Sequence, residues 1–355
     1  MKGLILSGGK GTRLRPITYT RAKQLVPVAN KPVLFYGLEA LVGAGIRDIG
    51  IVVGDTQAEI REAVGDGARW GARITYIEQD APRGLAHAVL ISEAFIDGDP
   101  FVMYLGDNLL NRGITRFVEE FERERPAAQI LLAHVPDPQM FGVAELTDGR
   151  VTRLVEKPQA PKSDLALVGV YMFGREVFES VKTIRPSFRN ELEITDAIQN
   201  LIDRGLSVRP HIVEGWWKDT GKLEDMLEAN RLILDTLEPR VEGTVDAESR
   251  IEGKVVIEAG ATIERSVVRG PVIVGAGSRV SGAYIGPFTS VGDRVEIRDT
   301  EIEHSIVLEG ACITDIANRI EDSLIGRNVS IYRLPVRPSA YRFMLGDNSE
   351  VGIRW

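Results

Sequence analysis

The first residues that could do chemistry follow a short apolar run at the N-terminus. After Gly3-Leu4-Ile5-Leu6 comes Ser7-Gly8-Gly9-Lys10-Gly11-Thr12-Arg13, a glycine-rich turn followed by a cation. Glycine lets backbone N–H groups approach phosphate oxygens closely, and a turn at the carboxyl end of a strand is where open α/β sheets bind ligands. Arg15 and Lys23 add positive charge nearby. The spacing is neither a dinucleotide fingerprint nor a P-loop, so the segment predicts a polyphosphate site of another kind or a purely structural turn.

Two acidic residues in other segments could hold a metal ion. Asp107 follows the apolar run 101–105 almost directly, which places it at the same predicted sheet edge as the glycine-rich turn. Asp219 stands in Trp217-Lys218-Asp219-Thr220-Gly221, ahead of a helix-like stretch. Two carboxylates are what Mg²⁺ usually takes from a protein beside substrate phosphates. The alternative for Asp219 or Thr220 is an N-cap with no further function.

Two more segments carry charge at the ends of predicted elements. Glu156-Lys157-Pro158 follows a predicted pair of strands, and residues 187–196 begin a predicted helix. From the residues alone, an exposed lysine and a solvated helix start are the simpler interpretations of these charges.

The elements that must position these residues alternate between strand and helix. Aliphatic runs at 3–6, 49–53, 74–77 and 101–105 predict strands, and the stretches 32–44 and 85–96 predict helices between them. Continuous apolar strands separated by helices indicate an α/β domain with a mainly parallel sheet covered on both faces. A last helix is predicted at 223–237 and ended by Pro239, so the first domain should span 1–240.

Beyond residue 240 the hydrophobic pattern becomes periodic. Aliphatic residues recur at intervals of six, six and five, and the period of the unit is seventeen residues; these are Ile251, Ile257, Ile263, Val268, Val274, Val280, Ile285, Val291, Ile297, Ile302 and Leu308, and Ile320 follows Ile302 after eighteen. This pattern is typical of a hexapeptide β-helix, in which three short strands form one coil. An antiparallel sheet of short strands is the alternative. The second domain should span 241–355, with Phe343, Met344, Leu345 and Trp355 of its tail docked on the body.

Composition excludes several classes of protein. The 355 residues are 44% hydrophobic and 26% charged, as in soluble proteins of about two domains. The net charge of −8 provides no global basic field for nucleic acid or anionic membranes. Cys312 is the only cysteine, which excludes an intrachain disulfide. The longest apolar run is about half the length of a membrane-spanning helix. We therefore expect a cytoplasmic protein that binds neither nucleic acid nor membranes.

Together, these segments resemble the sugar-1-phosphate nucleotidylyltransferases, most closely the glucose-1-phosphate thymidylyltransferases, over residues 2–237. The motifs occur in family order: Gly8-Gly9-Lys10-Gly11-Thr12-Arg13-Leu14, Lys23-Gln24-Leu25-Val26-Pro27-Val28, Leu105-Gly106-Asp107, Glu156-Lys157-Pro158, Glu191-Leu192-Glu193-Ile194-Thr195-Asp196 and Trp217-Lys218-Asp219-Thr220-Gly221. The repeat region is similar to the left-handed β-helix of the long form of this family. The resemblance thus implies a Rossmann-like mixed sheet followed by a left-handed parallel β-helix.

The resemblance also implies a reaction. A phosphate oxygen of α-D-glucose 1-phosphate would attack the α-phosphorus of dTTP and form dTDP-glucose and diphosphate, with Mg²⁺ held by Asp107 and Asp219. The nucleophile is already an anion, so no general base is required, and the four His lie outside the motifs. The resemblance assigns catalysis to Arg13, Lys23, Asp107 and Lys157.

Binding residues carry over by position. Those implied for the nucleotide are Leu6, Gly8, Gly9, Gly11, Thr12, Arg13, Gln79, Pro82, Gly84 and Asp107, with Gln79 facing the pyrimidine edge. Those implied for the sugar phosphate are Asn108, Gly142, Glu156, Lys157, Gly169, Tyr171, Arg189 and Trp217. The chain departs from many relatives at Ala22, where they have Pro, and from relatives of the short form at Asn190 and Lys218, where these often have Gly and Leu.

Several rival functions stay open at this point. One is a uridylyltransferase that prefers UTP. Another is an additional acyltransferase activity in the β-helix, for which His304 is the one candidate base within the repeat. A third is a regulatory or scaffold subunit without turnover, which would be expected to lack some of Arg13, Lys23, Asp107 or Asp219. Because the flat faces of a β-helix can pack against copies of themselves, we expect a homo-oligomer.

Overall fold

The computed structural model describes residues 1–9 and 11–334, and its first region is built around a nine-stranded sheet. The tail residues Phe343, Met344, Leu345 and Trp355 lie outside the described residues. The strands of this region are β1 (Lys2–Leu6), β2 (Pro27–Val28), β3 (Lys31–Pro32), β4 (Asp48–Val53), β5 (Arg73–Glu78), β6 (Phe101–Leu105), β7 (Asn108–Leu110), β8 (Ala128–His134), β9 (Gly142–Thr147), β10 (Arg150–Glu156), β11 (Leu165–Phe173), β12 (Val208–Ile212) and β13 (Trp217–Asp219). The helices are α1 (Val33–Gly43), α2 (Gln57–Val64), α3 (Leu85–Ile91), α4 (Glu93–Ile96), α5 (Thr115–Glu124), α6 (Glu176–Thr183), α7 (Ile194–Asp203) and α8 (Leu223–Leu234).

The sheet joins a parallel part to an antiparallel part. Strands β5, β4, β1 and β6 are neighbours and run parallel, whereas β11 runs antiparallel to β6, β8 and β9. All nine residues of β11 are buried, because helices cover both faces of the sheet. The predicted α/β class with a mixed sheet is confirmed.

Strand register brings the motif segments to one edge of the sheet. Leu6 of β1 lies opposite Leu105 of β6, so the glycine-rich turn and Asp107 leave the sheet side by side. The reversed strand β11 brings Gly169 to the same edge, where an added Cβ would lie 2.7 Å from Leu105 Cδ1. Glu156 at the end of β10 lies opposite Gly142 at the start of β9. The site therefore lies where the parallel and antiparallel parts of the sheet meet.

The second region is a parallel β-helix with three faces, consistent with the left-handed form. Its strands are β14 (Arg240–Val241), β15 (Thr244–Val245), β16 (Arg250–Glu252), β17 (Val255–Ile257), β18 (Thr262–Glu264), β19 (Val267–Arg269), β20 (Val272–Val274), β21 (Arg279–Ser281), β22 (Tyr284–Ile285), β23 (Thr289–Val291), β24 (Glu296–Arg298), β25 (Glu301–Ile302), β26 (Ile306–Val307), β27 (Cys312–Thr314), β28 (Leu324–Ile325) and β29 (Ser330–Tyr332). Each strand pairs in parallel with the strand one coil away, so the predicted repeat is confirmed.

One position of the predicted repeat is wrong. Val291 pairs with Val307 rather than with Leu308, because this coil is one residue shorter than those before it. Val307 fills the β-helix interior, and Leu308 instead joins a hydrophobic cluster shared with the first region. The bridge between Ile302 and Ile320 confirms the eighteen-residue step that follows.

Candidate active site

The glycine-rich turn after β1 forms one wall of the site. Ser7 N–H donates to Val52 O at 2.8 Å, and the chain then leaves the sheet at Gly8. Gly11 has a φ of 60°, and an added Cβ would lie 2.8 Å from Cβ of Lys23. Glycine fits both the left-handed conformation and the close approach. The same segment exposes Gly9, Thr12 and Arg13.

Two carboxylates from distant parts of the chain meet beside this turn. Strand β7 pairs antiparallel with β13, so that Asp219 lies opposite Asn108. The backbone N–H and the hydroxyl of Thr220 donate to Asp107 O at 3.0 and 2.8 Å. These two hydrogen bonds hold the segment of Asp219 against the segment of Asp107. The Lys23 ammonium lies between the two carboxylates, 2.5 Å from Asp107 Oδ2 and 3.7 Å from Asp219 Oδ1. The register of the small β7–β13 sheet thus unites two motifs.

The capping alternative for Asp219 and Thr220 is wrong. The residue that caps α8 is Lys222, whose N–H donates to Asp225 Oδ2 at 3.1 Å. Asp219 lies three residues earlier, in β13, so its carboxylate is not needed to satisfy the helix N-terminus.

Burial and neighbouring charge set the protonation of this group. Burial acts to raise the pKa of Asp107, but the Lys23 ammonium outweighs it and holds that pKa below its usual range. Burial and the negative charge of Asp107 raise the pKa of Asp219 to about 6. The pKa of Lys23 is raised because the two carboxylates outweigh its burial. At neutral pH, both carboxylates are therefore ionised beside a protonated lysine.

The carboxylate pair fits a divalent cation that is shared with a substrate. Asp219 Oδ1 is buried and accepts no hydrogen bond within the part of the chain that the structure describes. Mg²⁺ prefers such oxygen ligands, and it takes one or two carboxylates together with water and phosphate oxygens. Residues 1–9 and 11–334 contain no cluster of three or more His, Cys, Asp or Glu that could hold a metal. A cage made by the protein alone is therefore absent from that part.

A cavity of about 800 Å³ opens beside the carboxylates. Trp217 Nε1–H donates to Asn108 Oδ1 at 2.6 Å, and Asn108 Nδ2–H donates to Asp107 Oδ1 at 2.8 Å, so the tryptophan is tied to the carboxylate group. Phe141 packs edge-on against Trp217 with ring centroids 5.3 Å apart. The predicted site residues that line the cavity are Arg13, Asp107, Asn108, Gly142, Glu156, Lys157, Gly169, Tyr171, Trp217 and Asp219.

Close packing explains two glycines in the cavity wall. An added Cβ at Gly169 would lie 2.8 Å from Asn108 Oδ1, and one at Gly142 would lie 2.6 Å from Thr195 Cγ2. Thr195 also donates to Glu156 Oε2 at 3.3 Å. Burial and the neighbouring Glu193 raise the pKa of Glu156. In this wall, the carboxyl group of Glu156 is oriented by Thr195, and the positions of Gly142 and Gly169 leave no room for side chains.

The two cations predicted to contact the sugar phosphate differ in their surroundings. Lys157 lines the cavity, with a φ of 41° and its N–H donating to Phe141 O at 3.0 Å. Arg189 lies among three carboxylates, at 3.5 Å from Glu156, 3.1 Å from Glu191 and 3.5 Å from Glu193. It is not among the residues that line the cavity.

Gln79 lies on the other side of the glycine-rich turn. Its Oε1 is 3.3 Å from the Cβ position of Gly8, while its Nε2 donates to Gly84 O at 3.3 Å and contacts His87 Nδ1 at 3.0 Å. Burial lowers the pKa of His87, so its ring is neutral at pH 7 and Nδ1 can accept. Gly84 has a φ of 101°, and an added Cβ would lie 2.3 Å from Leu192 O. Both amide hydrogens of Gln79 are used, which leaves Oε1 as the atom available for a ligand.

The remaining predicted residues lie at the margins. Leu6 is buried at the end of β1, where its O accepts Gly106 N–H at 2.9 Å, and Pro82 is exposed in the loop after β5. The sequence did not assign the roles of His87 and Thr195, which contact Gln79 and Glu156. His87 lies outside the motifs and Thr195 lies within the motif 191–196, but each acts through a hydrogen bond that only the folded chain forms.

Two other features bear on the rival functions. His304 pairs with Asp322, and its ring packs edge-on against Phe288 with centroids 6.2 Å apart, at the contact between the two regions. The imidazole of His304 therefore has contacts that account for it as a structural residue, without a role as the base of an acyltransferase. Within residues 1–9 and 11–334, no helix combines the length and hydrophobicity needed to cross a membrane.

Comparison with known proteins places this geometry in a family. The family model for nucleotidyl transferases matches residues 2–236. A glucose-1-phosphate thymidylyltransferase of Streptomyces antibioticus is 58% identical over 100% of both chains, and one of Streptomyces griseus is 56% identical over 99% of both. The crystal structure of a Bacillus anthracis protein assigned to the glucose-1-phosphate thymidylyltransferases, in complex with sucrose, superposes with a TM-score of 0.64 at 37% identity. That match covers 68% of this chain and 98% of the other.

The glycine-rich turn, the paired carboxylates and the adjoining cavity thus lie within the segment that the family model matches. The chain belongs to the nucleotidyl transferase family.

Proposed function

We propose that the protein is a Mg²⁺-dependent glucose-1-phosphate thymidylyltransferase, which converts dTTP and α-D-glucose 1-phosphate into dTDP-glucose and diphosphate. The observation that carries the proposal is the arrangement of Arg13, Lys23, Asp107 and Asp219 beside the glycine-rich turn and the adjoining cavity. This arrangement offers one place for a triphosphate and an adjacent place for a second anion. The two Streptomyces relatives carry the name of this activity over the full length of the chain.

In the proposed complex, the turn from Gly8 to Thr12 binds the phosphates through backbone N–H groups. Arg13 lies beside Asp219, since an added Cβ at Gly221 would lie 3.4 Å from both Arg13 Nη2 and Asp219 Oδ2. Lys23 lies between Asp219 and Asp107. Both cations would therefore be close to the position at which negative charge increases when the α-phosphorus is attacked.

The proposed chemical step needs no proton transfer. An anionic oxygen of glucose 1-phosphate forms a bond to the α-phosphorus, the bond from that phosphorus to the bridging oxygen breaks, and the electron pair leaves with diphosphate. Mg²⁺ held by Asp107 and Asp219 would neutralise charge on the phosphate oxygens. The work of the chain is to hold two anions in line and to stabilise the charge of the leaving group.

We assign the sugar to the cavity beneath Trp217. Glu156, which lines the cavity, would accept hydrogen bonds from sugar hydroxyls. Lys157 would contact the sugar phosphate. Arg189 would join it only after leaving Glu191, at 3.1 Å its nearest carboxylate partner.

Uridylyl transfer is the second candidate function, because Gln79 does not by itself distinguish uracil from thymine. With both amide hydrogens engaged by Gly84 and His87, Gln79 offers Oε1 as an acceptor. An acceptor reads the N3–H group, which thymine and uracil share, and rejects cytosine, which has no hydrogen at N3. The methyl group of thymine must then be recognised elsewhere, and a methyl contact is worth about 1–3 kcal/mol.

The proposal extends to the organisation of the protein. We assign catalysis to residues 1–240 and treat 241–355 as a separate β-helix domain. We propose a cytoplasmic homo-oligomer that assembles through surfaces of the β-helix. The mass of the protein in solution, measured by light scattering after size exclusion, tests the assembly, and a monomeric mass would contradict it.

The test of the activity is diphosphate release with Mg²⁺ and glucose 1-phosphate, with kcat/KM measured for dTTP, UTP, ATP, CTP and GTP. We expect dTTP to be preferred, UTP to follow, and a chelator to abolish release. Preference for UTP would establish the sister activity instead. Absence of release with every nucleotide and with other hexose 1-phosphates would favour a regulatory subunit.

A further inference from the structure

One face of the β-helix carries apolar side chains on its outside. Along β17, β20, β23, β26 and β28, one outward residue of each strand stacks in register, and four of these five residues are aliphatic: Val256, Ile273, Ile306 and Leu324, with Ser290 in the middle of the row. Their inward neighbours fill the β-helix core. Charged residues such as Glu264, Arg279, Glu296 and Arg298 occupy the outward positions of the next face. We call the apolar row the docking ladder.

The docking ladder is covered by residues of the first region of the same chain. We call this region, residues 1–240, the catalytic region, because the proposed function assigns catalysis to it. Its first half, Val256 and Ile273, packs with Ala29 and Leu234, whereas its second half, Ile306 and Leu324, belongs to a different cluster. Asn230, which is fully buried, closes the contact between the two regions: its Oδ1 accepts Ala29 N–H at 2.8 Å, and its Nδ2–H donates to Phe288 O at 3.0 Å. This face is therefore an internal interface of one chain.

The second half of the docking ladder meets the nucleotide loop, which we define as residues 11–25. Leu14 and Ile17 of this loop share a hydrophobic cluster with Ile306 and Leu324. An added Cβ at Gly326 would lie 3.4 Å from Ile17 Cδ1, so the last coils and the loop lie directly beside each other.

Charged side chains also lie at the contact between the nucleotide loop and the last coils. Burial and, after it, the guanidinium of Arg327 lower the pKa of Arg21 to about 10, and Arg21 remains protonated at neutral pH. Arg327 is held in turn by Glu309 at 2.7 Å. The contact thus spans the loop between the two cations, Arg13 and Lys23, that the proposed function places on the triphosphate.

The nucleotide loop has little structure of its own to hold it. It consists of three short 3₁₀ turns, Thr12–Leu14, Ile17–Tyr19 and Lys23–Leu25, and none of them has a side-chain cap. The side-chain hydrogen bonds that hold its backbone include Thr18 Oγ1–H to Gly11 O and Ala22 N–H to Glu59 Oε2, each at 2.7 Å. Ordering such a segment costs conformational entropy, which packing from outside must offset.

We infer that the last coils of the β-helix, residues 306–327, position the nucleotide loop, so that the β-helix sets the nucleotide affinity of its own chain. The inference rests on the proposed function for the identity of the ligand. Ile306 and Leu324 are positioning residues, since they act through Leu14 and Ile17 and touch no substrate. If the β-helix already holds the loop in its ordered conformation, the nucleotide does not have to order it. Less conformational entropy is then lost on binding, and the nucleotide binds more tightly.

A matched pair of substitutions on the docking ladder tests this role. Ile306→Ala removes support beside the nucleotide loop, and Ile273→Ala makes the same change on the same face beside Ala29 and Leu234. We expect Ile306→Ala to raise KM and Kd for dTTP by about tenfold, because displaced catalytic groups lose their alignment. The KM for glucose 1-phosphate should change little. Ile306→Val should restore most of the affinity.

Amide hydrogen exchange gives a readout that needs no ligand. Residues 11–25 should exchange faster in Ile306→Ala and at the wild-type rate in Ile273→Ala. If Ile306→Ala does not fold, Ile17→Ala removes a side chain of the same hydrophobic cluster from the loop side and is held to the same expectations. Equal behaviour of the two ladder variants in exchange and in dTTP affinity would overturn the inference. A wild-type protein that uses no nucleotide would defeat the proposed function, and exchange would still decide the role of the coils.

Discussion

The catalytic region and the β-helix use polar side chains in opposite ways. In the β-helix, charges form pairs on the outer surface between neighbouring coils, such as Arg269 with Glu252 at 2.9 Å and Arg298 with Asp315 at 3.1 Å. In the catalytic region, Lys23 is 7% exposed and faces Asp107 at the sheet edge. Burying charge is unfavourable unless it is closely matched.

This contrast separates stability from function within one chain. The β-helix satisfies many polar groups locally, through hydrogen bonds such as Ser278 Oγ–H to Gly292 O at 2.7 Å and Val295 N–H to Ser278 Oγ at 3.0 Å, and among its described residues Thr289 and Ser290 carry buried hydroxyls without a partner. The site leaves a buried oxygen of Asp219 without a hydrogen bond. A polar group that is satisfied within its own coil stabilises the scaffold, whereas the unsatisfied oxygen of Asp219, on a residue that lines the cavity, remains available for a ligand.

The largest effect should come from a carboxylate of the site. We expect Asp107→Asn to lower kcat by about 10²–10³, because it removes the charge that pairs with Lys23 and that we propose as a ligand of Mg²⁺. Asp315→Asn is the same substitution in the β-helix and breaks an exposed ion pair with Arg298. It should leave kcat unchanged, since such pairs contribute about 0–1 kcal/mol. Steady-state diphosphate release compares the two, and an unchanged kcat in Asp107→Asn would remove Asp107 from the mechanism.

For a side chain inside the β-helix, we expect a substitution to lower stability and to leave the kinetics unchanged. Ile297 is fully buried on an inward-facing position away from the docking ladder. Ile297→Ala should lower the free energy of unfolding by about 2–5 kcal/mol through the lost contacts and the cavity. Both KM values should stay at wild type. Denaturant titration measures the loss, with Glu296→Gln, which faces outward on the same strand, as the control expected within about 0.5 kcal/mol. A large change in KM would mean that the whole β-helix is coupled to the site.

The same contrast explains what the sequence could predict. Contacts in the β-helix join residues one coil apart, for example 17 positions between Arg269 and Glu252, so a hydrophobic period describes nearly the whole domain. The error at Leu308 arose where one coil shortened and the following aliphatic residue turned toward the catalytic region. A period cannot report that an outward apolar side chain will be covered by another domain.

The site was predictable only where strands end. Leu6 and Leu105 end strands that are register partners, which is why the turn and Asp107 could be expected to meet. The placement of Lys23 between two carboxylates depends on a contact across 84 positions, and the bridge from Ala29 to Asn230 spans 201. Such pairings follow from tertiary packing, and no local pattern encodes them.

A smaller effect should separate the two substrates within the catalytic region. Lys157→Met should raise KM for glucose 1-phosphate by about tenfold, because a charge-assisted hydrogen bond to phosphate is worth about 1.5–3 kcal/mol. The KM for dTTP should change less. Lys162→Met, at an exposed position of the same segment, is the matched control. If the two variants show the same kinetics, Lys157 has no contact with the sugar phosphate.

The smallest effect concerns the ring that orients Gln79. Gln79 Nε2–H can donate to His87 Nδ1 only while the imidazole is neutral, and burial keeps the pKa of His87 below 6.5. A lowered pKa means that the neutral ring persists into mild acid and is protonated only as the pH falls below 6.5. Protonation turns the acceptor into a donor, so the amide of Gln79 must rotate and withdraw Oε1 from the pyrimidine. The affinity for dTTP should therefore be constant from neutral to alkaline pH, and it should fall about three- to tenfold in acid, the loss of one neutral hydrogen bond.

The phosphates of dTTP and the carboxyl of Asp219, whose pKa is about 6, also titrate in acid, so the comparison needs a protein that keeps these groups and lacks the histidine. His87→Gln retains an acceptor oxygen that does not titrate in this range. Calorimetric Kd values for dTTP over the same pH series contain the phosphate contribution in both proteins, and their ratio isolates the ring. We expect the ratio to change only below pH 6.5, the reference value above which the ring is neutral. A constant ratio across the series would show that Gln79 keeps its orientation without His87, and the acceptor geometry would then have to come from Gly84 alone.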